Sequence, residues 1–253
     1  MIPLLARRIH DLRRQARGST CCTLLFSTSP MRFFFLTLLV CAMAIPAHAE
    51  SAKLPLTEIP ATAGSSDTFV VFISGDGGWA AIDREIAKVL ARSGMPVVGL
   101  NALQYFWTPR TPDSASRDLQ WIVSHYMALW GKSRVVLAGY SRGADVLPAM
   151  ISRLPATTQS RVRLIALLGP SPNVEFEFHM SDWLKDSKAG VPVKPEIDKL
   201  HDRPILCLSG EDDPDSLCRK LSGPNIEVVT LRGSHHFDRA YGALGHIIIE
   251  HLK

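Results

Sequence analysis

Gly139-Tyr140-Ser141-Arg142-Gly143 follows the apolar run Val135-Val136-Leu137-Ala138. This is G-x-S-x-G at the end of an expected strand and the start of an expected helix. The two glycines let helix and strand approach closely, and the serine hydroxyl is thrown clear of the sheet. A serine hydroxyl is a weak nucleophile until a base takes its proton and a carboxylate holds that base in one tautomer. The base is sought after Leu231-Arg232-Gly233-Ser234, where His235-His236 stand. Adjacent side chains on a loop point different ways, so only one can serve. We take His235, and expect His236 to pack or hydrogen-bond to the loop. The acid is sought in Glu211-Asp212-Asp213-Pro214-Asp215, just past Leu208-Ser209-Gly210. We take Asp213, three residues past that glycine, with Asp212 and Asp215 as alternatives. The plainer role for Asp213 or Asp215 is capping a helix that starts at Ser216.

Acyl transfer also needs backbone N–H groups aimed where negative charge develops, each worth roughly 3 kcal/mol. One is expected from Arg142, directly after the serine. The second is expected from Ser74-Gly75-Asp76-Gly77-Gly78-Trp79. The N–H of Asp76 is favoured and that of Gly77 comes second. A phosphate cradle is a poor reading of this loop, because no Lys-Ser/Thr pair follows the glycines. The histidines lack metal-ligand spacing, so no metal is expected, and no motif implies a cofactor.

These residues need a scaffold. Short apolar runs at Phe69–Ser74, Pro96–Leu100, Ser133–Ala138, Arg163–Leu168, Pro204–Ser209 and Ile226–Leu231 are rich in Val, Ile and Leu. They read as strands buried on both faces, as in a parallel sheet. Helical patterns lie between them at Ala81–Ser93, Ser114–Trp130, Arg142–Leu154, Ser216–Leu221 and Asp238–Leu252. In the second, Leu119, Ile122, Val123, Tyr126 and Leu129–Trp130 share one face, a core stripe and not a cofactor box. Repeated strand–helix units predict an α/β fold, a mostly parallel sheet with helices on both faces. Sites in such sheets form outside the C-terminal strand ends. The chain order serine, acid, histidine is that of an α/β-hydrolase. Residues 171–200 break the rhythm and read either as a small insertion over the site or as a packed excursion at the sheet edge.

The N-terminus has a different character. Arg7, Arg8, Arg13, Arg14 and Arg17 precede the apolar run from Phe33 to Ala44, and Ala47-His48-Ala49 follows it. Basic region, apolar region and A-x-A predict a signal peptide cleaved after Ala49; an uncleaved anchor is the alternative. Met31-Arg32 also supplies a short basic region, so the leader can be read from Met1 or Met31. Residues 50–66 read as an extended lead-in, and 67–253 as the folded domain. The whole chain holds 28 basic and 24 acidic residues. Six arginines and Asp11 lie in 1–49, leaving 22 basic against 23 acidic residues in the exported chain. The basic balance therefore belongs to the leader, and direct nucleic-acid binding is not expected from it. Cys21, Cys22 and Cys41 leave with the leader. Cys207 and Cys218 remain, an even pair in an oxidising compartment, and are expected to form a disulfide bracing the segment that carries the acid.

Ser-Gly-Asp-Gly-Gly-Trp, Gly-Tyr-Ser-Arg-Gly-Ala-Asp, Gly-Glu-Asp-Asp with Ser-Leu-Cys, and Gly-Ser-His-His-Phe-Asp together resemble the VirJ/AcvB family of periplasmic virulence proteins. The resemblance spans roughly residues 66–252, at the length of the single-domain VirJ form. It implies an α/β-hydrolase fold and periplasmic location. For AcvB it implies hydrolysis of lysyl-phosphatidylglycerol, and the family is associated with type IV secretion. Two functions follow as expectations. One is a serine esterase acting on an aminoacylated phospholipid at the membrane surface. The other is a chaperone-like accessory of secretion-system components that keeps the fold for binding. A dicationic lysyl group calls for acid, and Asp76, Asp145, Glu175 and Glu177 are candidates; pairing with Arg142 or capping is the plainer role for Asp145. Arg142 could meet a lipid phosphate, though a plain surface arginine is the simpler reading, and Trp107 and Trp183 could touch acyl chains or simply pack in the core.

Overall fold

The computed structural model describes residues 54–177 and 190–253. The leader 1–49 and Trp183 lie outside the described residues. Seven strands form one sheet among the described residues, in the order β1-β3-β2-β4-β5-β8-β9. They are β1 (Leu56–Ile59), β2 (Thr68–Ile73), β3 (Val97–Leu100), β4 (Arg134–Tyr140), β5 (Val162–Leu168), β8 (Ile205–Gly210) and β9 (Ile226–Leu231). All neighbours run parallel except β1, which pairs antiparallel with β3 from Leu56↔Leu100 to Ile59↔Val97. The helices include α1 (Ala81–Arg92), α3 (Pro112–Leu129), α4 (Arg142–Ile151) and α7 (Tyr241–Glu250), with shorter α2 (Ala102–Tyr105), α5 (Ala156–Gln159) and α6 (Lys194–Asp198).

Two apolar clusters, one on each face, account for the layers. Phe69, Val71 and Ile73 of β2 face the cluster that holds α3 and α4, while Val70 and Phe72 face the one that holds α1 and α7. Alternate strand residues point to opposite faces, so a strand covered on both sides is apolar at most positions, with Thr68 and Ser209 the buried polar exceptions in β2 and β8. β2, β3 and β8 are buried at every position. β9 departs from the expectation of burial on both faces. It is the sheet edge, and none of its residues is fully buried; Val228 is exposed.

Other departures are local. The extended lead-in also contributes a strand that was not expected, Leu56–Ile59, which takes the free edge of β3. On α3, Leu119, Ile122, Val123 and Tyr126 are buried as expected. Leu129 instead faces outward, while Trp130 packs edge-on against Phe69. Ser216–Leu221 is a four-residue 3-10 turn, Leu217–Lys220, and not an α-helix. The last helix starts at Tyr241 and not Asp238, because Phe237, Asp238 and Arg239 all have positive φ. In the excursion, β6 (Asn173–Val174) pairs antiparallel with β7 (Val191–Pro192). Phe176, Val193, Ile197 and Leu200 bury their side chains in the α3/α4 cluster, so both described ends of the excursion are packed.

Candidate active site

β4 delivers Ser141 to the C-terminal edge of the sheet, between β2 and β5. The turn into α4 is tight enough to dictate its sequence. A Cβ on Gly139 would lie 2.4 Å from the Gly143 backbone, and one on Gly143 would lie 2.1 Å from the Ile73 carbonyl oxygen. Ser141 itself sits at φ 53°, ψ −123°, a conformation costing an L-residue about 1–3 kcal/mol. Its N–H is held by the Leu168 carbonyl at 2.8 Å. Strand pairing and close helix approach therefore fix the strained serine, as the motif requires.

The loops after β8 and β9 bring up two partners. His235 Nε2 lies 3.0 Å from Ser141 Oγ, and His235 Nδ1 lies 3.0 Å from Asp213 Oδ2. Asp213 keeps 12% of its side chain exposed and His235 34%. Asp212 and Asp215 are exposed, and the 3-10 turn is capped by Ser216, whose Oγ accepts from the Cys218 N–H. Of the three aspartates, Asp213 is thus the one joined to the imidazole. Gly169, at φ 61°, lies beneath that ring, where a Cβ would come within 2.9 Å of Cε1. Cys207 of β8 and Cys218 form a disulfide, closing the chain around Asp213.

His236 turns away, with Nδ1 2.9 Å from the Tyr140 hydroxyl. The residues after it are unusual. Phe237, Asp238 and Arg239 take φ of 52°, 47° and 62° in succession, left-handed backbone costing roughly 1–2 kcal/mol per residue. Phe237 is completely buried in the α1/α7 cluster and anchors this turn.

The glycine loop after β2 lies against the serine, since a Cβ on Gly75 would lie 3.2 Å from Ser141 Cβ. Ser74 Oγ accepts from the Ala102 N–H at 2.9 Å, and the Gly78 N–H returns to the Gly75 carbonyl. Trp79 covers Gly99, where a Cβ would fall 2.2 Å from the indole. The side chains of Asp76 and Arg142 form an ion pair, so the two positions nominated as backbone donors are tied to each other. Arg142 Nη1 also donates to the carbonyls of Glu175 (2.7 Å) and Glu177 (3.2 Å). Only 11% of the Arg142 side chain is exposed. It therefore joins three loops and is not the plain surface arginine expected.

A cleft of about 190 Å³ opens beside Ser141, with Asp76, Arg142, Asp145, Ser171 and Glu175 in its wall. Asp145 is buried and accepts the Ser171 N–H at 2.6 Å. Burial pushes its carboxyl well above the usual range, against the pull of that hydrogen bond, and the neighbouring charge of Asp76 adds to the rise. Trp107 is 61% exposed and is no core residue. Among the described residues no group of three or more His, Cys, Asp or Glu could hold a metal ion.

Serine at a strand–helix elbow, acid after one later strand and histidine after the next define the α/β-hydrolase class. Solved structures of that fold match at low identity. Est1E from Butyrivibrio proteoclasticus superposes with a TM-score of 0.55 at 14% identity, covering 79% of this chain and 95% of its own. The esterase Pf2001 from Pyrococcus furiosus gives 0.55 at 15% identity, covering 79% and 89%. The carboxylesterase Culp1 of Mycobacterium tuberculosis is 29% identical over 163 residues, 59% of this chain and 68% of that protein. The chain belongs to the VirJ family, described as bacterial virulence protein, which matches residues 67–253.

Proposed function

We propose that this protein is a periplasmic serine esterase that hydrolyses an aminoacyl ester of phosphatidylglycerol, with the lysyl ester favoured. The observation that carries the reading is the His235 imidazole, bridging Ser141 Oγ and Asp213 Oδ2 at 3.0 Å each beside an acid-walled cleft. The carbonyl of an aminoacyl ester is electrophilic, and its α-ammonium makes it more so. Ser141 attacks it while His235 Nε2 takes the hydroxyl proton. Asp213 accepts the Nδ1–H throughout, holding the useful tautomer and stabilising the imidazolium. The backbone N–H of Arg142 and that of Asp76, or Gly77, receive the oxyanion. His235 returns the proton to the departing glycerol oxygen. Water then repeats the sequence on the acyl-enzyme and releases the amino acid, leaving phosphatidylglycerol. Glu175, with Asp145 held in reserve by its burial, suits a cationic acyl group better than a fatty one, while Asp76 is paired with Arg142. A cation entering the cleft would draw the Asp145 carboxyl towards ionisation.

The test is release of free amino acid from lysyl- and alanyl-phosphatidylglycerol by the protein lacking 1–49, beside Ser141→Ala. The expected result is release that the variant loses by roughly four or more orders of magnitude with its fold unchanged. Equal turnover by the variant would remove the serine mechanism. Turnover of short generic esters but of neither lipid would remove the substrate assignment and keep the esterase.

A further inference from the structure

The residue between the glycine and the nucleophile does more than fill the elbow. Tyr140 is 6% exposed. Its hydroxyl lies 2.9 Å from His236 Nδ1 and 3.3 Å from the His235 carbonyl oxygen. Its ring lies against the His235 imidazole, with centroids 5.4 Å apart and planes tilted by 32°. One side chain of the nucleophile strand therefore touches the backbone, the ring and the next residue of the loop that supplies the base. We propose that Tyr140 is a positioning residue for His235, its hydroxyl and His236 forming a clamp that holds the histidine loop against the nucleophile elbow. The inference rests on the esterase reading.

The loop needs such a clamp. Gly233 at φ 92° opens it, and the three left-handed residues Phe237–Arg239 close it. Between them the backbone is tied by the Phe237 N–H to the Ser234 carbonyl, at 2.9 Å, and flanked by the Asp212 N–H to Gly233 at 3.0 Å. Phe237 anchors the far end by burial. His235 lies at the near end, and a third of its side chain is exposed to solvent. The Phe237–Ser234 bond spans His235 and Asp213 meets its ring, and the Tyr140 hydroxyl adds a contact from the nucleophile strand itself. Burial holds the phenol well above its usual range, with the negative fields of Tyr241, Asp83 and Asp213 adding to it. The hydroxyl therefore keeps its proton, which it can donate to the His235 carbonyl while it meets His236 Nδ1. A base displaced by an ångström loses much of its rate while substrate still binds, because binding does not use the imidazole.

The experiment compares Tyr140→Phe, His236→Leu and the double variant with the parent protein. The readouts are turnover of a short aryl ester and the rate at which a fluorophosphonate labels Ser141. Tyr140→Phe keeps the buried ring, and His236 is exposed, so each single variant probes the hydroxyl bond with the packing intact. The expected result is a roughly tenfold fall in kcat and in labelling rate for either single variant, with KM within about twofold. The double variant should be no slower than Tyr140→Phe, because losing the hydroxyl already removes the only clamp contact that His236→Leu removes. Parent-like labelling by Tyr140→Phe overturns the proposal. So does a double variant whose loss is the product of the two single losses. A parent protein that is itself inert and unlabelled overturns the esterase reading and the clamp's catalytic role with it, an outcome separate from either of those.

Discussion

Asp83→Asn tests the energetics of the site's supporting layer. Asp83 stands in the first turn of α1, fully buried, with Oδ2 accepting the Ala80 N–H at 2.7 Å. Oδ1 has no hydrogen-bond partner among the described residues. Burial pushes its carboxyl from 3.8 up to about 7, outweighing the backbone hydrogen bonds that pull the other way. Below pH 3.8 folded and unfolded chains both carry the proton, and there is no penalty. Between that pH and about 7 the unfolded chain ionises while the folded one holds the proton. Stability then falls by about 1.4 kcal/mol per pH unit. Above about pH 7 the fold carries a constant penalty of at most about 4 kcal/mol. Asparagine keeps the acceptor for Ala80 and cannot ionise. Its extra unpaired N–H costs about 1–2 kcal/mol at every pH. Urea unfolding from pH 4 to pH 8 should therefore show the variant slightly less stable at pH 4, crossing the parent, and ahead by about 2–3 kcal/mol at pH 8. A stability difference that does not change across this range would refute the reasoning.

Replacing both Cys207 and Cys218 by serine opens a loop with a sequence separation of 11. It should cost about 3 kcal/mol by denaturant unfolding, and should lower kcat for a short ester more than it raises KM. Gly143→Ala drives a Cβ into the Ile73 carbonyl, and should lose roughly 3 kcal/mol or more, with the esterase activity. Gly242→Ala, with no atom within 4 Å of the new Cβ, should gain about 0.5–1 kcal/mol by the same assay.

The parallel strands were legible because covering both faces leaves few polar positions, as in Phe69-Val70-Val71-Phe72-Ile73. β1 was not. Leu56-Thr57-Glu58-Ile59 is four residues long and mixed, and only pairing to β3 makes it a strand. α2, α5 and α6 span four or five residues, too short to show a helical period. Ser141 and His235 announced themselves through glycines and strand ends, whereas three nearby aspartates differ only in how the loop after β8 folds. The Tyr140 contact left no mark, since a buried tyrosine beside a serine looks like core. Nor did the left-handed run, because Phe, Asp and Arg carry no signal for positive φ. Arg142 misled as a surface residue because its three partners come from loops distant in sequence.

The bond between Cys207 and Cys218 also gives the molecule a sense of place. In a reducing cytosol the two sulfurs would stay apart, and Asp213 would ride on an open stretch of chain between β8 and the turn beyond it. The segment would then rest on its hydrogen bonds, among them Asp213 N–H to the Gly210 carbonyl and Leu217 N–H to the Pro170 carbonyl. Oxidation closes the ring and adds a covalent brace to the loop whose carboxylate meets His235. On the periplasmic reading proposed above, the oxidised chain is expected to hydrolyse a short ester faster than the reduced one, which ties full activity to the compartment that makes the bond.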